Sequence, residues 1–127
     1  MKIQRVRFAG QILLASLIFA SAPQAQAQLP SGEDLFDLYC SGCHEVGPAN
    51  GQGPSLKGVV GRKVASVKGF AYSPVLKAAG TKGTRWDAAT LDRFLTDPSK
   101  AYPGTAMPQS VSKPENRKAI IAYLKSN

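Results

Sequence analysis

The sequence predicts a small all-α domain of about four helices. Four segments place apolar residues at helical spacing behind a recognisable start signal. No segment alternates apolar and polar residues long enough to make a strand. The connections between the four segments are rich in glycine and proline, as turns and loops require.

The first 27 residues stand outside that domain. Lys2, Arg5 and Arg7 make a basic start, residues 12–20 are an apolar run too short to span a bilayer, and Ala25-Gln26-Ala27 is a small-x-small cleavage site. Ala20-Ser21-Ala22 is a second candidate site, disfavoured by Pro23 directly after it. This is the pattern of a secretory signal peptide cleaved after about Ala27, which leaves 28–127 as one exported domain. In a bacterium, export means the periplasm. An uncleaved leader would instead make the chain a tethered module of a larger complex.

The first helix is expected over residues 32–39. Ser31 and Asp34 can form a capping box, Glu33 and Asp34 suit the positive end of the helix dipole, and Leu35, Phe36, Leu38 and Tyr39 supply the apolar stripe. Residues 50–61 hold five loop-forming residues, Gly51, Gly53, Pro54, Gly58 and Gly61, with no Gly-Lys-Ser or Gly-Lys-Thr to make a phosphate cradle. Ser73-Pro74 reads as an N-cap and first-turn proline for a short helix over 75–79, closed by Gly80. Thr81 to Thr84 reads as a polar turn. Asp87 caps a third helix through Thr96, with Leu91, Phe94 and Leu95 inward and Asp97-Pro98 as its stop.

Residues 101–111 read as an extended loop broken by Pro103, Gly104 and Pro108. The last helix is expected from a capping box, Ser112-x-x-Glu115, with Pro114 in its first turn. Ile120, Tyr123 and Leu124 face inward there, and Lys118 and Lys125 face out.

Cys40-Ser41-Gly42-Cys43-His44 carries the chemistry. C-x-x-C-H is the attachment signature of a c-type haem. Two thiols on one helical turn can add to the two vinyl groups of a single haem, and the histidine that follows can reach its iron. A redox disulfide would need a βαβ setting, and a structural zinc about four protein ligands. This chain has two cysteines and one histidine in all, and no βαβ pattern. The single histidine also rules out a second histidine ligand from the same chain. Met1 leaves with the leader, so Met107 is the one thioether of the exported domain. A lone methionine is ordinarily core filler. Its place on a proline-braced loop far from His44 makes it the candidate for the opposite face of the iron. Histidine–methionine ligation raises the potential and closes the iron to outside ligands. An open iron would instead suit peroxide reduction or gas binding, although no second histidine remains to act as a base.

Outside the leader, thirteen basic and eight acidic residues leave a net charge of +5, or about +3 with two ionised haem propionates. That surplus can steer acidic partners. The lysines form no run and interleave with no aromatics, which argues against nucleic acid.

These residues resemble the class I c-type cytochromes, of the mitochondrial cytochrome c and bacterial cytochrome c2 kind. The resemblance spans about residues 32–125. It rests on Gly32 and Phe36 ahead of CSGCH, GPSLKGVVGRK over 53–63, GFAY over 69–72, Trp86, Asp97-Pro98, YPGTAMP over 102–108 and IAYLK over 121–125, in that order. It implies the cytochrome c fold wrapped around one haem bound through Cys40 and Cys43, with His44 and Met107 as axial ligands. It implies that the Pro54 carbonyl fixes the His44 ring, that Arg62, Tyr72, Trp86 and Thr105 face the haem propionates, and that Gly32, Phe36 and Tyr123 join the first and last helices.

Phe94 departs from the family's tyrosine beside the methionine, Leu76 from its asparagine, and Ala101 and Ala106 from its charged or polar neighbours of the methionine. The segment from Gly80 to Trp86 is longer than in mitochondrial relatives. Lys63, Lys100 and Lys113 remain as cations for the haem edge. The expected activity is non-enzymatic: a soluble, monomeric one-electron carrier in the periplasm. A membrane cytochrome complex, an oxidase, a reaction centre or a periplasmic dehydrogenase would be its partner, with no nucleic acid and no stable membrane insertion.

Overall fold

The computed structural model describes residues 28–127; the expected leader over 1–27 lies outside them. Five helices follow in order: α1 (Gly32–Tyr39), α2 (Pro74–Thr81), α3 (Ala88–Thr96), α4 (Pro98–Ala101) and α5 (Pro114–Lys125). The described residues include no strand beyond one isolated antiparallel bridge between Lys63 and Arg85. The four expected helices are present, and α4 is additional.

Helix α1 starts as its sequence dictates. The Ser31 hydroxyl accepts from the Asp34 N–H at 3.1 Å, and the Asp34 carboxylate accepts from the Ser31 N–H at 2.9 Å. Leu35 and Phe36 are buried. Leu38, expected on the inner stripe, is 72% exposed. At 100° per residue it falls well off the direction shared by Leu35, Phe36 and Tyr39.

The inner face of α1 packs on α5, and α3 packs on α5 and α4. Gly32 lets the first two backbones approach, because a Cβ there would strike the Ala119 carbonyl oxygen and lie 2.9 Å from Tyr123 Cβ. The Phe36 and Tyr123 rings meet one residue-turn along, with centroids 5.5 Å apart. All three residues expected at the α1–α5 contact are therefore there. Ile120 is fully buried at its centre, a burial that contributes about 1.5–3 kcal/mol.

Four local expectations are corrected. Gly80 does not close α2: the helix runs through Thr81, and a Cβ at Gly80 would collide with the Val64 carbonyl oxygen, so this glycine serves close packing instead. The left-handed position after the helix is Gly83, at φ +81°. Ser73 occupies the N-cap of α2 but makes no capping hydrogen bond.

Ser112 does not open a capping box either. The N-cap of α5 is Lys113, whose carbonyl accepts from the Arg117 N–H at 3.2 Å, with no side-chain cap. The Ser112 carbonyl is taken by the Arg117 guanidinium at 2.9 Å, which holds Ser112 outside the helix. Finally, the region read as loop from Ala101 is preceded by α4, whose last residue is Ala101. The Asp97 carboxylate that follows α3 accepts from Lys100 N–H at 2.9 Å and starts this extra turn.

The two well-formed caps predict acid behaviour. The Ser31 hydroxyl, then its N–H, holds the Asp34 carboxyl below its ordinary value, and the Thr90 N–H, then its hydroxyl, does the same for Asp87. Both folded-state values are depressed, so their stabilisation is fully present above about pH 4 and is lost as pH falls through them. Asn caps a helix as well as Asp does but does not titrate. Asp34→Asn with Asp87→Asn should therefore flatten the acid limb of a thermal-stability profile below about pH 4. An unchanged limb would show that other carboxylates dominate it.

Candidate functional site

The C-x-x-C-H residues form the turn that ends α1. The Phe36 carbonyl accepts from both Cys40 N–H and Ser41 N–H, at 2.7 and 3.0 Å, and the Cys40 carbonyl accepts from Cys43 N–H and His44 N–H, at 3.0 and 2.9 Å. Residues three and four apart on such a turn point the same way, so Cys40, Cys43 and His44 share one side. Cys40 is buried and its thiol is pushed up to about 11 by desolvation. Cys43 is exposed, and its thiol donates to Gln52 Oε1 at 3.1 Å.

His44 is fixed from beneath by the glycine-rich loop. Its Nδ1 lies 2.8 Å from the Pro54 carbonyl oxygen. A carbonyl only accepts, so Nδ1 carries the proton and Nε2 keeps its lone pair for a metal. Gly53 makes room for the ring: a Cβ there would stand 2.6 Å from Nδ1 and 2.7 Å from Nε2. The loop returns to the motif through Gly53 N–H on the Cys43 carbonyl at 2.8 Å and Leu56 N–H on the Glu45 carbonyl at 2.8 Å. Asn50 Oδ1 accepts from Ser55 N–H at 2.8 Å and braces its interior.

The half-buried Arg62 guanidinium donates to the carbonyls of Lys57 and Ser55, both at 2.7 Å. Desolvation lowers its pKa, and the neighbouring Tyr72 acts in the opposite sense. The Tyr72 hydroxyl oxygen accepts from Val67 N–H at 3.3 Å, which leaves its own proton to donate. Burial, ahead of these contacts, raises its pKa. Trp86 is buried, its ring 5.0 Å from Phe94 and edge-on to Tyr102 at 6.0 Å. Its backbone pairs with Arg62 through Trp86 N–H on the Arg62 carbonyl at 2.9 Å.

Met107 is half-buried against the main core, as are Leu76 and Tyr102. The Thr105 hydroxyl oxygen accepts a long 3.5 Å bond from Met107 N–H. The structure thus joins His44 with Pro54, Arg62 with Tyr72 and Trp86, and Thr105 with Met107.

Two residues of the site region were not singled out by sequence. Ser73 Oγ is buried without a hydrogen-bond partner among the described residues. As an expected N-cap it concealed its signal. Arg117 is buried, reaching Asp92 Oδ1 at 2.7 Å and the carbonyls of Val111 and Ser112 at 3.0 and 2.9 Å. It ties the end of the Met107 segment to α3 and α5. A helix arginine in a surface-like pattern carries no sequence sign of this. Among the described residues no three His, Cys, Asp or Glu side chains gather to hold a bare metal ion.

A helical domain that presents C-x-x-C-H at the end of its first helix, with the imidazole steered from below, is the frame of a haem protein. The cytochrome c family profile matches residues 30–127. Cytochrome c2 of Rhodoblastus acidophilus is 42% identical over 97 residues, 74% of this chain and 87% of that protein. Cytochrome c2 of Rhodomicrobium vannielii is 38% identical over 113 residues, 87% of each. The solved structure of cytochrome cH from Methylobacterium extorquens superposes with a TM-score of 0.66 at 43% identity, over 76% of this chain and 95% of that one. The chain belongs to the cytochrome c family, as a class I c-type cytochrome. Its cofactor is one c-type haem bound covalently through Cys40 and Cys43, and it is an electron carrier. The unpartnered Ser73 hydroxyl fits that cofactor independently of the motif: a buried O–H without an acceptor is costly, and the haem brings two carboxylates.

Proposed function

We propose that this protein is a periplasmic one-electron carrier whose haem iron lies between His44 and Met107. The His44–Pro54 hydrogen bond carries the reading, because it makes Nδ1 the donor, which in the neutral ring leaves the Nε2 lone pair for a metal, and it holds the ring in one orientation. Met107 supports it as the one thioether of the described residues, half-buried beside the core and framed by Thr105 and Pro108. When bound, the haem supplies a metal centre that changes charge by one electron. The chain's part is to hold both axial side chains still, exclude water and keep that change small in structural terms.

Arg62, Tyr72, Trp86, Thr105 and Ser73 would face the propionates. Ser73, Tyr72 and Thr105 have hydroxyl protons free to donate, and Arg62 keeps donors beyond the two it uses on the loop. Phe94, packed between Trp86 and Tyr102, offers no hydroxyl to the Met107 sulfur. The leader over 1–27, which lies outside the described residues, and the bacterial cytochrome c2 relatives support export. Among the described residues no helix is long and apolar enough to cross a membrane. Donor and acceptor would be membrane cytochrome complexes, oxidases, reaction centres or periplasmic dehydrogenases.

The oxidised holoprotein should show the weak far-red absorption band of iron–thioether ligation, and Met107→Ala should abolish it. A wild type without the band, or one that binds carbon monoxide readily when reduced, would replace this reading with an open-iron haem protein.

A further inference from the structure

Asn50-Gly51 is the one Asn-Gly pair of the sequence. Such a pair ordinarily makes the turn of a β-hairpin. Among the described residues no strand flanks it, and Gly51 is not one of the glycines at positive φ. Each residue is kept for a different contact. Asn50 Oδ1 accepts from the N–H of buried Ser55 at 2.8 Å. A Cβ on Gly51 would stand 2.8 Å from the Cys43 carbonyl oxygen, so the backbone there has room only for glycine. Both Asn50 and Gly51 are exposed to water.

The same pair is chemically reactive. A backbone nitrogen that follows asparagine can attack the side-chain amide carbon, and glycine leaves that approach unobstructed because it has no Cβ. Here the new bond joins Gly51 N to Asn50 Cγ. The bond from Cγ to Nδ2 breaks, and ammonia leaves with the Gly51 amide proton. Water then opens the cyclic succinimide at either carbonyl. One product is aspartate. The other is isoaspartate, whose main chain runs through Cβ and Cγ. The net change is one water consumed and one ammonia released, with no oxidant or reductant.

We propose that Asn50-Gly51 is a deamidation site that the folded loop holds closed. Both reacting groups are engaged: Oδ1 by the Ser55 N–H, and the Gly51 N–H by the Gly53 carbonyl at 3.0 Å. Gly51 also lies against the Cys43 carbonyl, which takes the Gly53 N–H at 2.8 Å. Closing the succinimide ring turns the Asn50 side chain toward Gly51 N and breaks these contacts together. The reaction therefore proceeds from the opened loop, and the population of that opening sets its rate. The two products then differ in effect. Aspartate keeps an acceptor in place for the Ser55 N–H. Isoaspartate adds a methylene to the main chain, moves Gly51 off Cys43 and shifts the segment that carries Gly53 and Pro54 beneath His44. The damage falls on the support of the histidine, whatever binds on the other side of the iron.

The test incubates the holoprotein at mildly alkaline pH, which removes the Gly51 amide proton, either native or unfolded in guanidinium chloride. Peptide mapping follows deamidation, and enzymatic carboxyl methylation reads isoaspartate. The unfolded chain should convert Asn50 well ahead of Asn116, where the Arg117 side chain obstructs the attack. The native protein should convert Asn50 about tenfold or more slowly than the unfolded chain, since two hydrogen bonds must open together. Equal rates in the two states would overturn the proposal, as would an Asn116 that keeps pace with Asn50 in the unfolded chain. Refolded isoaspartyl protein, separated by cation exchange, should unfold at a lower temperature than both the wild type and Asn50→Asp. Coincident unfolding of all three would overturn the claim that the chain path at this pair supports His44. None of these readouts depends on Met107, so their failure leaves the ligation reading standing, and the reverse holds as well.

Discussion

Gly53→Ala should drive the His44 ring off the Pro54 carbonyl. The new Cβ would stand 2.6 Å from Nδ1 and 2.7 Å from Nε2, inside the separation any carbon and nitrogen tolerate. The ring has nowhere to retreat without breaking its 2.8 Å bond to Pro54, and the glycine backbone is itself held by its N–H on the Cys43 carbonyl. Overpacking of this kind costs about 1–3 kcal/mol, and the lost hydrogen bond about 1 kcal/mol more. Thermal unfolding of the holoprotein should therefore fall by roughly 8–25 °C for a domain of this size. The reduction potential should shift as well, because the imidazole loses the partner that sets its basicity. Gly42→Ala is the matched control. It lies inside the same C-x-x-C-H motif, yet a Cβ there meets nothing within 4 Å, and its effect should stay within about 0.5 kcal/mol. Equal behaviour of the two variants would show that the ring is not confined from below.

Arg117→Met should destabilise the protein by about 3 kcal/mol, and most of that loss should come from carbonyls rather than from the ion pair. The guanidinium is buried, and its Nη1 serves the Val111 and Ser112 carbonyls at 3.0 and 2.9 Å. Methionine fills similar volume but leaves both without a donor, at about 1–3 kcal/mol for a stranded buried group. Asp92, whose side chain is 49% exposed, rehydrates when its partner goes. Asp92→Asn should accordingly cost only about 0.5–1 kcal/mol. Arg117→Lys keeps the charge but lacks the planar fork that reaches Asp92 and two carbonyls at once, so it should fall between the two.

Urea unfolding of the three variants orders them. A loss for Asp92→Asn as large as for Arg117→Met would mean that the ion pair, not the carbonyl clamp, holds this corner. The clamp and the Val111 N–H on the Leu95 carbonyl at 2.8 Å fix the C-terminal end of the Met107 segment. Arg117→Met should therefore also lose the far-red band at a lower urea concentration than Asp92→Asn does.

Local chemistry made much of this protein legible from its residues. Cys40, Cys43 and His44 are adjacent in the chain, so a single turn brings them together whatever the rest does. The Ser31–Asp34 and Asp87 caps likewise depend on atoms within three residues, and the structure contains both. The resemblance to class I cytochromes extended that reach to Pro54, whose bond to His44 spans ten residues.

What only the tertiary structure decided involves groups that compete for a partner from elsewhere. Ser112 has the sequence of a cap, yet Arg117 reaches back for its carbonyl and Lys113 opens α5 instead. Gly80 has the sequence of a helix stop, yet the Val64 carbonyl lies against it and the glycine is kept for that contact. Leu38 has the composition of a core residue, but helical geometry turns it to solvent. The opposed cations Lys63 and Arg85 are 22 positions apart and form a pair only because the chain folds back between them. A cap, a turn or an attachment motif is determined by neighbours along the chain, and its free energy is local. Which carbonyl an arginine satisfies, which glycine faces a backbone and which charges share a face depend on distances that exist only after the helices have packed.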